Sequence, residues 1–547
     1  MHIIIPMSGL GNRFIKAGYK IPKPLIIIEE KPIIEHVCNL FPKADKFTFI
    51  CNSFHLKTTK MREILLNIRP NSNIVEIPKH KKGPVYAVSK ISNLIDDDEE
   101  VIVNYCDFGT YWNFDDFLKH TRNRNCDGAI PSYRGFHPHM MGSTNYAFIK
   151  EKNQWLIEIK EKEPFTNNRM QEYASNGTYY FKRGYFVKKY FNLLMDLDIN
   201  LNGEYYVSLV YNLMVKENLK ISIYEIQHML QWGTPEDVEE YLMWSNYFDK
   251  LVANNNLVKY EYSDLISLIP MAGLGSRFSR EGYQTPKPLI EISGLPMVVQ
   301  AVNALPLADN VIFVCQKKHN LEYSFEPLLK KYFKCKLVEI DYQTEGQAIT
   351  SELGLKGIDI NKKLLISASD NSIIYNEKKL NNLILNSKID AIIFTFKNHV
   401  SSNNNPEMYG WVDEENGVAK SVSVKKPISE TPKNDHAIVG TFLFKSIKIF
   451  LEALDKLKSE NIRVNGEFYV DSVMHILISQ GYNVHVFEVD NYVCWGTPND
   501  FKTFKYWQSY FHKAKSHPYR LEQDPTVNKN KIIELENSFN NFGQEHR

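Results

Sequence analysis

The strongest constraint on this chain is that it repeats itself. Residues 6–28 read PMSGLGNRFIKAGYKIPKPLIII and residues 270–292 read PMAGLGSRFSREGYQTPKPLIEI, an offset of 264 (270 − 6). Asn202-Gly203-Glu204-Tyr205-Tyr206-Val207 returns as Asn465-Gly466-Glu467-Phe468-Tyr469-Val470, and Trp232-Gly233-Thr234-Pro235 as Trp495-Gly496-Thr497-Pro498, both at 263 (466 − 203, 495 − 232). One residue of slip over so long a unit means the same elements in the same order, twice. Solenoid repeats run to roughly 20–45 residues, so this period signals duplicated domains instead. The length of 547 residues also demands more than one hydrophobic core. The expected division is 1–250 for the first copy, 251–264 for a linker through Ala253-Asn254-Asn255-Asn256, 265–513 for the second copy and 514–547 for a tail. With only Ile532, Ile533 and Leu535 as an apolar pattern, the tail is expected to be a loosely docked helix or disordered.

Within each copy, short apolar runs alternate with helical patterns such as Pro32–Leu40. Ile3–Ile5, Phe47–Cys51 and Val101–Asn104 have counterparts in Leu265–Ile269, Val311–Cys315 and Leu364–Ser367. This predicts α/β domains of Rossmann-like kind, each a mostly parallel mixed sheet with helices on both faces. In such sheets ligands sit beyond the carboxyl ends of the strands, which is where the glycine-rich turns fall. Formal net charge is +1, from 65 basic and 64 acidic residues, so no overall field draws the chain to a nucleic acid polymer or a membrane. Any phosphate binding must come from local arrangement. The seven scattered cysteines include no Cys-x-x-Cys pair, which argues against a disulfide framework or zinc site and for a reducing, cytoplasmic setting. No basic run precedes a long apolar stretch at the start, so neither a signal peptide nor membrane insertion is expected.

Two local patterns carry chemistry. The first follows the opening strand: Gly9-Leu10-Gly11-Asn12-Arg13 and Gly273-Leu274-Gly275-Ser276-Arg277. Glycines let backbone N–H groups approach an anion, and arginine adds a charged fork for phosphate oxygens. Turns use Gly-x-Gly freely, and neither a third glycine at Rossmann spacing nor the Gly-Lys-Ser/Thr of a Walker loop is present. The second pattern decides the matter: Pro22-Lys23-Pro24-Leu25 and Pro286-Lys287-Pro288-Leu289 stand at one distance from the glycine turn in both copies. A lysine between two prolines is held on a stiff segment as a fixed point charge.

Together these motifs resemble the sugar-phosphate nucleotidyltransferase family, over roughly 1–250 and 265–513. The resemblance implies that Gly9, Gly11, Arg13 and Lys23, with Gly273, Gly275, Arg277 and Lys287, hold a nucleoside triphosphate. It places the base beside Gly83 in Lys82-Gly83-Pro84, and beside Gly346 and Gln347 in Glu345-Gly346-Gln347. The copies differ most here, so they are open to reading different bases. Asp107 and Asp370, at strand ends, are implied to hold Mg²⁺ against the triphosphate. Many family members place a second acidic or amide ligand two residues before the glycine of Gly-Thr-Pro, where this chain has Gln231 and Cys494. On the acceptor side the resemblance points to Tyr409 and Gly410 (weaker counterpart Tyr146-Ala147), to Gly177 and Gly440, and to Glu204 and Glu467 for sugar hydroxyls. Within Lys160-Glu161-Lys162 and Lys425-Lys426-Pro427, it points to Lys162 and Lys426 for the acceptor's phosphate.

The implied reaction is attack of an acceptor phosphate on the α-phosphorus of the triphosphate, with pyrophosphate leaving and an activated sugar made for glycan or surface polysaccharide synthesis. The acceptor is already ionised, so the site needs charge neutralisation and positioning rather than a general base. Arg13, Lys23 and Lys162, or Arg277, Lys287 and Lys426, would supply it with Mg²⁺. Three alternatives stay open at the level of sequence. One copy is catalytic and the other a regulatory or structural nucleotide-sugar-binding domain; the acceptor is a non-sugar alcohol phosphate such as phosphocholine, used by a cytidylyltransferase; or the chain is a glycosyltransferase, which would want an Asp-x-Asp pair that Asp107-Phe108-Gly109 and Asp370-Asn371-Ser372 lack. Whether the copies pack as an internal pseudo-dimer is not fixed by the sequence.

Overall fold

The computed structural model describes residues 1–253 and 259–540. It divides into two compact units, one formed by Met1–Leu242 with residues 538–540, the other by Met243–Asn537. In unit one the strands are β1 (His2–Met7), β2 (Lys46–Asn52), β3 (Asn73–Ile77), β4 (Val101–Asn104), β5 (Phe108–Tyr111), β6 (Gly128–Tyr133), β7 (Ala147–Lys152), β8 (Trp155–Glu161), β9 (Tyr173–Ser175), β10 (Thr178–Phe181), β11 (Ile221–Glu225) and β12 (His228–Gln231). Ten of them form one sheet in the order β9-β7-β8-β11-β6-β10-β4-β1-β2-β3, and β5 with β12 makes a separate ribbon. Strands β4, β1, β2 and β3 run parallel, and β10 is antiparallel to both β4 and β6.

In unit two the strands are β13 (Glu261–Pro270), β14 (Leu307–Gln316), β15 (Cys335–Ile340), β16 (Lys363–Ser367), β17 (Asn371–Ile374), β18 (Ala391–Phe396), β19 (Gly410–Glu415), β20 (Val418–Val424), β21 (His436–Phe444), β22 (Val484–Glu488) and β23 (Asn491–Cys494). The sheet order β15-β14-β13-β16-β21-β18-β22-β20-β19 is that of unit one, and β17 pairs with β23 as β5 does with β12. The one difference is that β21 runs unbroken where unit one has β9 and β10 separated at Asn176-Gly177.

The near-continuous apolar runs follow from burial on both faces of the sheet. Leu265 and Ile269 of β13 pack into one core with Phe313, Leu365 and Ile392, whereas Ile266 and Leu268 point into a second with Ile312, Leu364, Ile366 and Ile393. That alternation is the period-two geometry of a strand between two helix layers. Each run singled out in the sequence lies within a strand, and the helix expected at Pro32–Leu40 is Ile33–Asn39.

Two expectations need correction. The 251–264 segment is not linker throughout: the helix Pro235–Ala253 runs past 250 and β13 begins at Glu261. The Asn254–Asn256 part lies outside the described residues, as does the end of the tail after 540. Nor is the tail loosely docked, since Tyr519, Leu521 and Asp524 are fully buried in unit two. Tyr519 donates to Asp524 Oδ2 at 2.8 Å and accepts from Gln508 Nε2 at 2.9 Å, while Gln300 Nε2 reaches Thr526 O at 2.7 Å. Isolated anchors in a polar stretch have no periodicity to reveal them.

Candidate functional site

In unit one the chain leaves β1 through Ser8 and reaches Gly11, whose φ of +66° is the left-handed conformation that only glycine adopts freely. Pro22 and Pro24 hold Lys23 in a single tight turn, Lys23–Leu25, against this loop. Lys23 Nζ lies 2.6 Å from Asp107 Oδ2. Burial works against the Lys23 charge, but Asp107 more than offsets it and the pKa is raised. Asp107 sits between β4 and β5, fixed by Trp232 N–H donating to its backbone oxygen at 3.0 Å. Gly83 is required by close approach: its φ is +81°, and a Cβ there would stand 2.7 Å from the Tyr205 backbone N and O.

The acceptor-side residues come from the antiparallel part of the sheet. Lys162 follows β8 with φ +59°, its N–H bonded to Tyr146 O at 2.8 Å. Its Nζ donates to Tyr206 Oη at 2.7 Å, and Tyr206 in turn donates to Glu204. Gly177, at φ +99°, breaks the strand between β9 and β10 and accepts from Tyr105 N–H at 3.1 Å. A cleft of about 560 Å³ opens among these groups, and Gly9, Gly11, Arg13, Lys23, Gly83, Asp107, Lys162, Gly177 and Glu204 all line it. Every residue assigned to the first copy from sequence therefore meets in one cavity, of a size suited to a small-molecule ligand.

Unit two repeats the frame. Lys287 Nζ is ion-paired with Asp370 Oδ2, and Gly275 has φ +62°. Gly346, at φ +117°, lies against the Phe468 backbone as Gly83 does against Tyr205, with Gln347 opening the helix Gln347–Gly354. Gly440 has φ +87° and accepts from Ala368 N–H at 3.1 Å, although it sits inside the continuous β21. Tyr409 packs its ring edge-on to Phe396, and Glu467 is exposed. The base-side segments do diverge: Lys82 lies over the Tyr86 ring at 5.0 Å, whereas Glu345 accepts from Arg463 at 2.9 Å.

One assignment changes. The residue equivalent to Lys162 is Lys425, not Lys426. Lys425 has φ +61°, its N–H bonds Tyr409 O at 3.1 Å, and its Nζ donates to Met408 O at 2.7 Å. Burial lowers its pKa, and it lies in the field of Asp471, Arg277 and Glu467. Lys426 is one residue further on and exposed, corresponding to Glu163. The aspartates already stand 263 apart (370 − 107), and that offset carries Lys162 to 425, a signal legible in the repeat itself.

Glu161 is a functional candidate that the linear pattern does not single out. It lines the cleft and accepts from Ser208 Oγ at 2.5 Å, and burial raises its pKa from 4.5 to about 7. Near the aspartates, Gln231 and Asp107 both approach Gly233, and the Cys494 thiol donates to Asp500 at 3.7 Å while accepting from Gly496 N–H at 3.2 Å. Among the described residues no three His, Cys, Asp or Glu side chains converge as a metal cage. Nor is any described helix long and apolar enough to cross a membrane.

An open α/β sheet with a cationic, glycine-lined cleft beyond its strands' carboxyl ends defines a class of protein that holds phosphorylated small molecules. The comparisons add a likeness: the family model described as nucleotidyl transferase matches residues 3–197. The bifunctional protein GlmU of Thermodesulfovibrio yellowstonii is 23% identical over 229 residues, 41% of this chain and 47% of the relative, so the chain spans about half of that protein's length. Among solved structures, the nucleoside-diphosphate-sugar pyrophosphorylase of Vibrio cholerae is 21% identical with a TM-score of 0.36, covering 44% of this chain and 98% of its own. The inositol-1-phosphate CTP transferase of T. maritima is 15% identical with a TM-score of 0.36, covering 44% and 94%.

Proposed function

We propose that each unit transfers a nucleoside monophosphate from a nucleoside triphosphate to a sugar phosphate and releases pyrophosphate. An acceptor phosphate oxygen forms a bond to the α-phosphorus while the bond from that phosphorus to the bridging oxygen of the β-phosphate breaks. Two mutually repelling anions must be held together for this, so the chemistry rests on fixed positive charge. Arg13 and Lys23 face the triphosphate in unit one and Lys162 the acceptor; Arg277, Lys287 and Lys425 do so in unit two. The observation that carries the reading is the single cleft shared by all nine residues assigned to the first copy, together with the Lys–Asp pair that recurs in the second.

Asp107 and Asp370 fit Mg²⁺, which keeps several waters and is commonly bound through one or two carboxylates plus substrate phosphates. When bound, the ion supplies charge neutralisation on the triphosphate. Tyr206 and Glu204 position the Lys162 ammonium, and the stiff Pro-Lys-Pro turn keeps Lys23 in place without reorganisation.

The test is to supply each common nucleoside triphosphate, Mg²⁺ and a panel of sugar 1-phosphates, with phosphocholine as a comparison, and to follow pyrophosphate. The expected result is release with at least one sugar phosphate, reduced about 100-fold or more at unit one's site by Lys23→Ala. Nucleotide binding without pyrophosphate release from any acceptor would overturn the reading in favour of a sensor.

A further inference from the structure

Beside its positive-φ lysine each unit sets one carboxyl group, half-buried in unit one and buried in unit two, yet takes it from a different element. In unit one the acid is Glu161 at the end of β8, bonded to Ser208 on the helix Val207–Lys216. The equivalents in unit two, 263 residues on, are Val424 at the end of β20 and Asp471 on the helix Val470–Ser479. The acid has moved from the strand to the helix packed against it.

The neighbouring strand changes in step. Glu161 pairs across the sheet with Ala147, and Val424 with Gly410. A Cβ on Gly410 would overlap Asp471 Oδ1, so the bare glycine is the notch into which the helix-borne carboxyl fits. In unit one the shorter Ser208 leaves that space to the Ala147 methyl. Asp471 holds the position of Ser208, which bonds the cleft-lining Glu161, and its Oδ1 lies against Gly410, next to the Tyr409 whose carbonyl accepts from Lys425 N–H. Burial raises its pKa from 3.8 to about 6, so the acid is held at a cost. Val424 shows that this corner accepts an apolar side chain. A carboxyl kept there through three matched differences is therefore serving something other than packing.

Resting on the transferase reading above, we propose that Asp471 is the specificity-determining residue of unit two's acceptor site. It receives a hydroxyl of a polyhydroxylated phosphate from the helix wall, whereas Glu161 receives one from the strand wall. The two units thereby select acceptors that differ in where that hydroxyl lies.

The experiment uses the full chain with Arg13→Ala silencing unit one, and measures KM for triphosphate and acceptor separately. Asp471→Asn is expected to raise the acceptor KM about tenfold or more while the triphosphate KM stays within about twofold, since a hydrogen bond to a charged group is lost on one side only. The combined variant Gly410→Ala, Val424→Glu and Asp471→Ser rebuilds unit one's arrangement. It is expected to regain turnover with the order of acceptor preference shown by unit one in an Arg277→Ala chain. An unchanged acceptor KM in Asp471→Asn, an equal loss for both substrates, or an unaltered acceptor order in the rebuilt variant would each overturn this inference alone. A parent chain that binds neither triphosphate nor sugar phosphate would overturn the transferase reading and this inference with it.

Discussion

The Glu161 carboxyl has a chemistry that its place in the sequence does not disclose. Its neighbour Lys162 donates to Tyr206 Oη, while Glu161 accepts from Ser208 Oγ. Desolvation is the largest influence and raises the pKa from 4.5 to about 7. Between those two values the folded chain holds a proton that the unfolded chain has lost. The site therefore destabilises the fold progressively as pH rises through this window, and the full cost, about 3 kcal/mol, is present above it. Glu161→Gln should remove that slope. Calorimetry is expected to show the variant melting above the parent at about pH 8, with the gap closing toward pH 4.5. A gap of the same size and sign at both ends would mean that the carboxyl does not titrate as burial dictates.

At the scale of elements, the coupling among β19, β20 and the helix Val470–Ser479 makes a second quantity measurable. Gly410→Ala drives a methyl into Asp471 and should cost about 1–3 kcal/mol, as overpacking of a filled core does. Adding Asp471→Ser should return most of it, giving a double-mutant coupling of similar size in chemical denaturation. Additive losses would show that the notch is not shared. Such couplings explain what the chain discloses in one dimension and what it withholds. Strands such as Ile3–Ile5 and Leu265–Ile269 were legible because burial on both faces writes an uninterrupted apolar run. Lys23 and Asp107 were legible as separate candidates because prolines and a strand end mark them, but their ion pair was not, since it joins residues far apart in the chain. The choice between Lys425 and Lys426 was legible in the 263 offset of the repeat, and the left-handed φ that Lys162 and Lys425 share agrees with it. Glu161 gained its meaning only from the helix packed over its strand, and Asp471 only from the strand beneath its helix. The tail's anchors Tyr519 and Leu521 are too sparse to form a pattern.

Taken as a whole molecule, the chain holds the same strand order twice, and each unit contains its own glycine turn, arginine, Lys–Asp pair and positive-φ lysine. Arg13, Lys23, Asp107, Lys162 and Glu204 of unit one have Arg277, Lys287, Asp370, Lys425 and Glu467 as their counterparts in unit two, whereas Glu161 is replaced by Val424. Turnover should therefore divide into two separable parts. Arg13→Ala removes a cation from the unit-one cleft, and loss of one such preorganised charge costs roughly 100- to 1,000-fold in rate. Arg277→Ala should do the same in unit two and leave the first part intact. Pyrophosphate release measured across the triphosphate and acceptor panel is then expected to fall to a residue in each single variant and to near background in the double. If either single substitution alone brought all turnover to background, one unit would be the sole catalyst, and the other would be a nucleotide-binding domain that shares its fold without its chemistry.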